Sequence, residues 1–230
     1  MTVILINLKI LNMVLLSGPN LSGNELKYVE DCIKTGWVSS VGSYVTDFEI
    51  SLSKFVKSKY AVATSSGTTA LHLSLIISNI EKDDFILVPN LTFVATLNSI
   101  KYVGANPILI DVDIDTWQIN LDLLEKFLDT NSKIINGICI HNETEKPIKA
   151  IIPVHVLGNM CDMNRLMEIS KKYCLKVIED SAESLGSKIN GKHSGTFGDF
   201  GCFSFNGNKI ITTGGGGMII TNQAKLAKKI

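Results

Sequence analysis

Apolar and polar positions along this chain follow two rhythms. Short runs of consecutive apolar, β-branched-rich residues recur at 60–65, 84–89, 107–111, 149–155, 175–179, 200–205 and 216–221. Unbroken runs of this kind are what strands buried on both faces require. Longer stretches of helical periodicity lie between most of them, at 67–79, 93–103, 120–129 and 161–173, and two more, 23–35 and 46–57, precede the first strand. Asn120, ahead of Leu121-Asp122-Leu123-Leu124, has N-cap chemistry, as has Asp162 or Cys161 ahead of the next helix. The βαβα alternation predicts an α/β fold: a three-layer, mostly parallel, mixed seven-stranded sheet with helices on both faces. The last two strands have no helix between them, so one of them is expected to run antiparallel. The polar stretch 141–147 (HNETEKP) reads as a hairpin-like excursion on the surface.

Composition narrows the partners. Lysine plus arginine equals aspartate plus glutamate, 22 of each in 230 residues. This balance argues against nucleic acid or an anionic membrane as the main partner, while leaving room for a local phosphate pocket. The cysteines at 32, 139, 161, 174 and 202 have no paired spacing and read as reduced thiols of a cytoplasmic protein. The stretch 1–16 is apolar, with Lys9 its only charge. It lacks the basic start and small-residue cleavage site of a signal peptide and is short for a bilayer span. It is read as an N-terminal extension, either an edge strand or a lead ahead of a second start at Met13, before a domain covering 17–230. Lys228-Lys229-Ile230 closes the sequence inside a helix-like run with no cap, which predicts a truncated C-terminus.

Four motifs fall at predicted strand ends, where an open parallel sheet binds its ligands. The first is Ser65-Ser66-Gly67-Thr68-Thr69, a small polar turn opening a helix, whose N–H groups and hydroxyls suit a phosphate. Simple capping explains it equally well. In the second, Phe93 sits just past a strand, placed either to stack on a planar ring or to fill the core. The third is Val177-Ile178-Glu179-Asp180, which delivers a carboxylate to a strand end, with Glu183 three residues on. Asp180 can pair with a protonated pyridine nitrogen or cap a helix. The fourth runs from Cys202 to Lys209 and ends in the glycines 214–217. Ser204 offers a hydroxyl. Lys209 offers an amine that can act as a Schiff-base nucleophile, or a solvated surface charge. The glycines do not form G-x-G-x-x-G after the first strand, so a nicotinamide site is a poor reading. The four histidines are far apart and make no metal motif; His155, at its strand end, is a candidate for the cleft wall.

Taken in order, SSGTTALHLSL, ILVPNLTFVATLNSI, GANPILIDVD, AIIPVHVLGNMCDM, KVIEDSAESLGS, GTFGDFGCFSF and the S-x-x-x-x-K ending at Lys209 resemble the DegT/DnrJ/EryC1/StrS family of sugar aminotransferases, within the fold-type I pyridoxal phosphate enzymes. SGPNLSGNELKYVEDCIKTGWVSSVG, the insertion at 136–149 and SFNGNKIITTGGGGMI resemble its LegC-type subgroup. The resemblance implies a cofactor, pyridoxal 5'-phosphate, and a reaction: amination of C4 in a UDP-linked 4-keto-6-deoxy-N-acetyl sugar, with a glutamate-like amino donor. It implies that Lys209 carries the cofactor and shuttles the proton, that Asp180 pairs with the ring nitrogen and that Phe93 stacks on the ring. Gly67, Thr68, Thr69 and Ser204 would hold the phosphate. Glu183 stands where the family often has glutamine or histidine near the ring hydroxyl. A homodimer is implied, as is a smaller C-terminal domain that this chain lacks. Two rivals follow. One is a sugar dehydratase of the same family, in which histidine replaces the lysine; Lys209 argues against it. The other is a truncated, non-catalytic remnant that binds a sugar nucleotide or a partner subunit.

Overall fold

The computed structural model describes residues 18–230, so the apolar extension 1–16 lies outside the described residues. Seven strands form the main path of one sheet: β1 (Tyr60–Thr64), β2 (Phe85–Pro89), β3 (Asn106–Ile110), β6 (Pro147–Ile151), β7 (Lys176–Asp180), β10 (Phe200–Ser204) and β11 (Gly217–Thr221). Their order is β1-β11-β10-β7-β6-β2-β3. These are the seven expected runs. The pairs β10–β7, β7–β6, β6–β2 and β2–β3 are parallel. β11 is antiparallel to both of its neighbours, β10 and β1. The expected antiparallel strand is therefore the last one, which returns through a loop instead of a crossover helix.

A hairpin of β4 (Ser132–Ile135) and β5 (Ile138–His141) was absent from the expected strands. It turns on Asn136-Gly137, both with positive φ (51° and 76°). Asn-Gly is the dipeptide that tolerates such a turn, so the signal lay in the sequence. β5 then pairs antiparallel with β6, and the polar stretch 141–147 spans the connection between them. A second small hairpin joins β8 (Lys188–Ile189) to β9 (Lys192–His193).

The helices are α1 (Glu25–Thr35), α2 (Ser43–Val56), α3 (Gly67–Ile77), α4 (Val94–Tyr102), α5 (Leu121–Asn131), α6 (Met163–Lys172) and the short α7 (Ala224–Ala227). Asn120 Oδ1 accepts the N–H groups of Asp122 and Leu123, both at 3.0 Å, and so caps α5. Of the two candidates ahead of α6, Asp162 is the cap, accepting from Arg165 N–H at 3.2 Å. Strand alternation then sorts the core into layers. Ile86, Val88, Ile178, Cys202 and Ile219 pack with Leu71, Leu75 and Ile100 of α3 and α4. Leu87, Ile151 and Val177 face the other way, toward Leu124, Leu128, Leu166 and Ile169 of α5 and α6. Phe203, Met218 and Ile220 meet Leu52 and Val56 of α2. Helices thus cover both faces, as the unbroken apolar strands required.

His193 gives the fold a pH dependence. It is buried, Nε2 accepts the Gly186 N–H at 2.8 Å and Nδ1 lies 2.7 Å from the Ser194 carbonyl, so the ring fits as the neutral Nδ1–H tautomer. Burial pushes its pKa below the ordinary histidine value. The unfolded chain therefore takes up a proton that the folded chain refuses, and stability falls as pH drops below about 6.5. Urea midpoints measured across that range should fall with pH in the native chain and flatten in a His193→Gln variant.

Candidate active site

A cleft of about 610 Å³ opens at the carboxyl ends of β6, β7 and β10. Gly67, Thr68, Phe93, Asp180, Glu183, Ser204 and Lys209 all line it. Residues from four separate stretches of sequence therefore meet in one place. Thr69 does not line the cleft: its hydroxyl turns to the cap, 3.0 Å from Ser65 Oγ and 2.9 Å from Ser66 Oγ.

One wall is the N-terminus of α3. Ser66 Oγ accepts the Thr69 N–H at 3.1 Å, and the helical ladder begins with Ala70 N–H to the Ser66 carbonyl. The N–H groups of Gly67 and Thr68 precede that ladder, at the positive end of the helix dipole. Glycines let this turn approach the sheet. A Cβ on Gly67 would lie 2.8 Å from Ser204 Cβ, and one on Gly217 would lie 2.3 Å from the carbonyl of Ser66. Backbone cannot retreat as a flexible side chain can. Gly217→Ala should cost about 1–3 kcal/mol of stability through overpacking, read as a lower urea midpoint, and should weaken phosphate binding in the cleft.

Asp180 forms the floor. It is buried; Oδ2 accepts from Thr96 Oγ1 at 2.7 Å and Oδ1 from Ala182 N–H at 3.2 Å. Burial pushes its carboxyl above the ordinary aspartate value. The Thr96 hydroxyl, the Ala182 N–H and the nearby His155 and Lys209 pull the other way. A cation brought against this carboxylate would favour its ionised form. Thr96 is itself buried and lies 2.8 Å from the Thr92 hydroxyl. The sequence reading passed over Thr96, because a threonine inside a helix carries no local sign of a partner on a distant strand.

Lys209 follows β10 on a turn closed by its own N–H to the Asn206 carbonyl at 3.0 Å. Its amine lies 3.2 Å from Glu183 Oε1. Phe93 precedes α4 in extended conformation and is 73% exposed at the cleft mouth, so it is not the core aromatic it could have been. Its open ring face suits a planar ligand.

Behind the floor lies Glu179, fully buried. Its carboxylate accepts Gly195 N–H at 2.7 Å, Phe197 N–H at 2.7 Å and Gly198 N–H at 2.7 Å. The fourth partner is His155 Nε2 at 3.1 Å. His155 Nδ1 sits 3.3 Å from the Cys161 N–H, so the ring donates from Nε2 and its tautomer is set. His155 lines the cleft, as its place at a strand end suggested. Glu179 went unassigned in the sequence, although a charge in an apolar strand needs buried partners and was a legible sign.

An amine, a buried carboxylate, an exposed aromatic and a helix-terminal anion cradle share one cleft. These residues fit pyridoxal phosphate: the cradle suits its phosphate, Asp180 its ring nitrogen and Lys209 its aldehyde. The fold is that of the fold-type I aminotransferases. The chain belongs to the DegT/DnrJ/EryC1/StrS aminotransferase family, which it matches over residues 19–230. It is 42% identical to a GDP-perosamine synthase of Caulobacter vibrioides over 93% of this chain and 53% of that protein. An aminotransferase structure from Psychrobacter cryohalolentis superposes with a TM-score of 0.81 at 32% identity, over 92% of this chain and 50% of that one. A GDP-4-keto-6-deoxymannose-3-dehydratase, solved with a trapped PLP-glutamate geminal diamine, has a TM-score of 0.80 at 28% identity over 94% of this chain and 53% of its own. The chain spans about half the length of the relatives it matches. The family works with pyridoxal phosphate.

Proposed function

We propose that residues 17–230 are the cofactor-binding large domain of a nucleotide-sugar aminotransferase dependent on pyridoxal phosphate. The observation that carries this reading is the meeting of Lys209, Asp180 and the α3 N-terminus in one cleft. When bound, the cofactor supplies an electron sink for transfer of an amino group. The protein's own part is positional and electrostatic. The Gly67 and Thr68 N–H groups and Ser204 would hold the phosphate. Asp180, held by Thr96, would face the ring nitrogen and favour its protonated form. Phe93 would orient the ring at the mouth. Lys209 would hold the aldehyde end through its amine, with loss of water, and would serve as the proton carrier. Lys209 also disfavours the dehydratase reading.

The substrate in this reading is a nucleotide-linked 4-keto-6-deoxy sugar and the donor is a glutamate-like amino acid, in a cytoplasmic homodimer. The LegC-type resemblance favours a UDP-linked N-acetyl sugar, whereas the name of the Caulobacter relative favours a GDP-linked one. Among the described residues, no helix is long and apolar enough to cross a membrane.

The test is spectroscopic. The purified chain mixed with pyridoxal phosphate should show a visible absorption band that glutamate bleaches. Adding either keto sugar to the bleached protein should restore the band, and the sugar that does so identifies the nucleotide. Absence of a band, or a band indifferent to every amino donor, would overturn the reading.

A further inference from the structure

Glu183 bridges two parts of the cleft that are far apart in sequence. Oε1 takes the Lys209 amine at 3.2 Å, and Oε2 accepts the Leu157 N–H at 2.9 Å. Both bonds are made by one carboxylate, so each constrains where the other can lie.

The Leu157 end of this bridge is conformationally unusual. Leu157 sits in the 3-10 turn Val156–Gly158 with φ 52° and ψ 24°, a left-handed conformation that side chains other than glycine and asparagine seldom adopt. The residue is 75% exposed, so core packing does not hold it there. Gly158 follows at φ 83°, and a Cβ on it would lie 3.2 Å from the Glu183 carbonyl. Ser187 Oγ closes the turn by donating to the Gly158 carbonyl at 2.7 Å. The backbone of this turn is thus held by the 183–187 segment. Such conformations persist only where the surroundings over-determine them.

The Lys209 end differs from a loose surface pair. The lysine side chain is 16% exposed and the glutamate 39%. Asp180 and His155 share the cleft with them. Asp180 is already engaged by Thr96 and Ala182, and His155 by Glu179 and Cys161. Glu183 is therefore the carboxylate that holds the amine.

We propose that Glu183 is a positioning residue that ties Lys209 to the Val156–Gly158 turn, so that the reactive amine and one wall of the cleft are placed by a single side chain. The significance for catalysis rests on the function proposed above; the tie itself does not. It also gives the glutamate at this position a role of its own. A glutamine retains an oxygen acceptor for Leu157 but offers the amine no anion, and an alanine offers neither.

Three chains test this without cofactor: native, Glu183→Gln and Glu183→Ala. Limited acetic anhydride labels lysine amines, and peptide mass spectrometry reads Lys209 against Lys176, which is paired with Asp199 elsewhere on the surface. An amine attacks only after leaving its carboxylate and losing its proton. Labelling of Lys209 relative to Lys176 should therefore rise about fivefold in both variants. Hydrogen exchange at the Leu157 amide should accelerate about fivefold in Glu183→Ala and stay near native in Glu183→Gln. Rescue of the turn but not of the amine is a pattern that general loosening would not produce. Equal labelling in all three chains, unchanged Leu157 exchange in Glu183→Ala, or a parallel rise of Lys209 and Lys176 would overturn the proposal. If the variants show these changes while the native chain gives no band with pyridoxal phosphate, the aminotransferase reading falls and the tie stands.

Discussion

Lys209→Ala is expected to abolish covalent capture of pyridoxal phosphate, with the protein still folded. The visible absorption band should vanish, and borohydride reduction should leave no cofactor-modified peptide in the mass spectrum. The structure supplies one reason for so large an effect: among the described residues, Lys209 is the lysine that lines the cleft. The fold should survive because the loop is held by backbone bonds. Phe205 N–H donates to the Gly216 carbonyl at 2.9 Å and Thr213 N–H to the Phe205 carbonyl at 3.0 Å. Glu183 loses its cation but is open enough to water to be solvated, so the stability cost should stay below about 1 kcal/mol. On the proposed function, amino transfer should drop by about 10²–10⁴-fold or more, the range that a positioned proton carrier contributes. A band that persists in the alanine variant would place the reactive amine elsewhere.

Glu179→Ala should have the largest effect on stability. Its buried carboxylate satisfies three backbone N–H groups and His155; the Gly195 N–H and His155 are buried and the Phe197 and Gly198 N–H groups part-buried. Alanine would leave those donors without an acceptor. Each donor stranded in the interior costs about 1–3 kcal/mol; with the Gly195 N–H and His155 buried and the other two reachable by water, a loss of about 3–5 kcal/mol is expected. That is a large fraction of the stability of an ordinary domain. Urea unfolding should show a much lower midpoint. The 195–198 segment should lose amide protection first, because Glu179 is its anchor. Glu179→Gln should be intermediate: its carbonyl oxygen accepts, while its amide group opposes N–H groups that already donate. A midpoint matching the native protein would mean that the carboxylate holds nothing together.

These two residues also show where reading the sequence succeeds and fails. Lys209 was legible because it follows an apolar strand at a fixed spacing from Ser204, and because its neighbours recur in a known order. For Glu179 the need for buried partners was legible, but their identity was not, although it is adjacent to Asp180. A strand places successive side chains on opposite faces. The sequence shows that alternation but not what waits on either side. The three N–H groups that Glu179 holds come from a segment sixteen or more residues away. The same applies to Thr96, whose partner Asp180 is 84 residues distant.

Local pattern by itself determined the seven strands of the main sheet path, the alternating helices, the cap on α5 and an antiparallel strand among the last two. Each of these depends on neighbours in sequence: periodicity, capping chemistry, or the absence of a helix between two strands. The family came from the resemblance of whole motifs in order, while the structure decided that Asp162 caps α6 and that β11 is the strand that turns back. Tertiary structure alone decided that Thr69 serves the cap, that Phe93 is open, that Glu183 spans Leu157 and Lys209, and that Glu179 clamps the loop behind the floor. Those outcomes depend on which side chains the sheet order brings within hydrogen-bond distance. A 3 Å contact between residues separated by 26 positions leaves no mark in the local pattern of either.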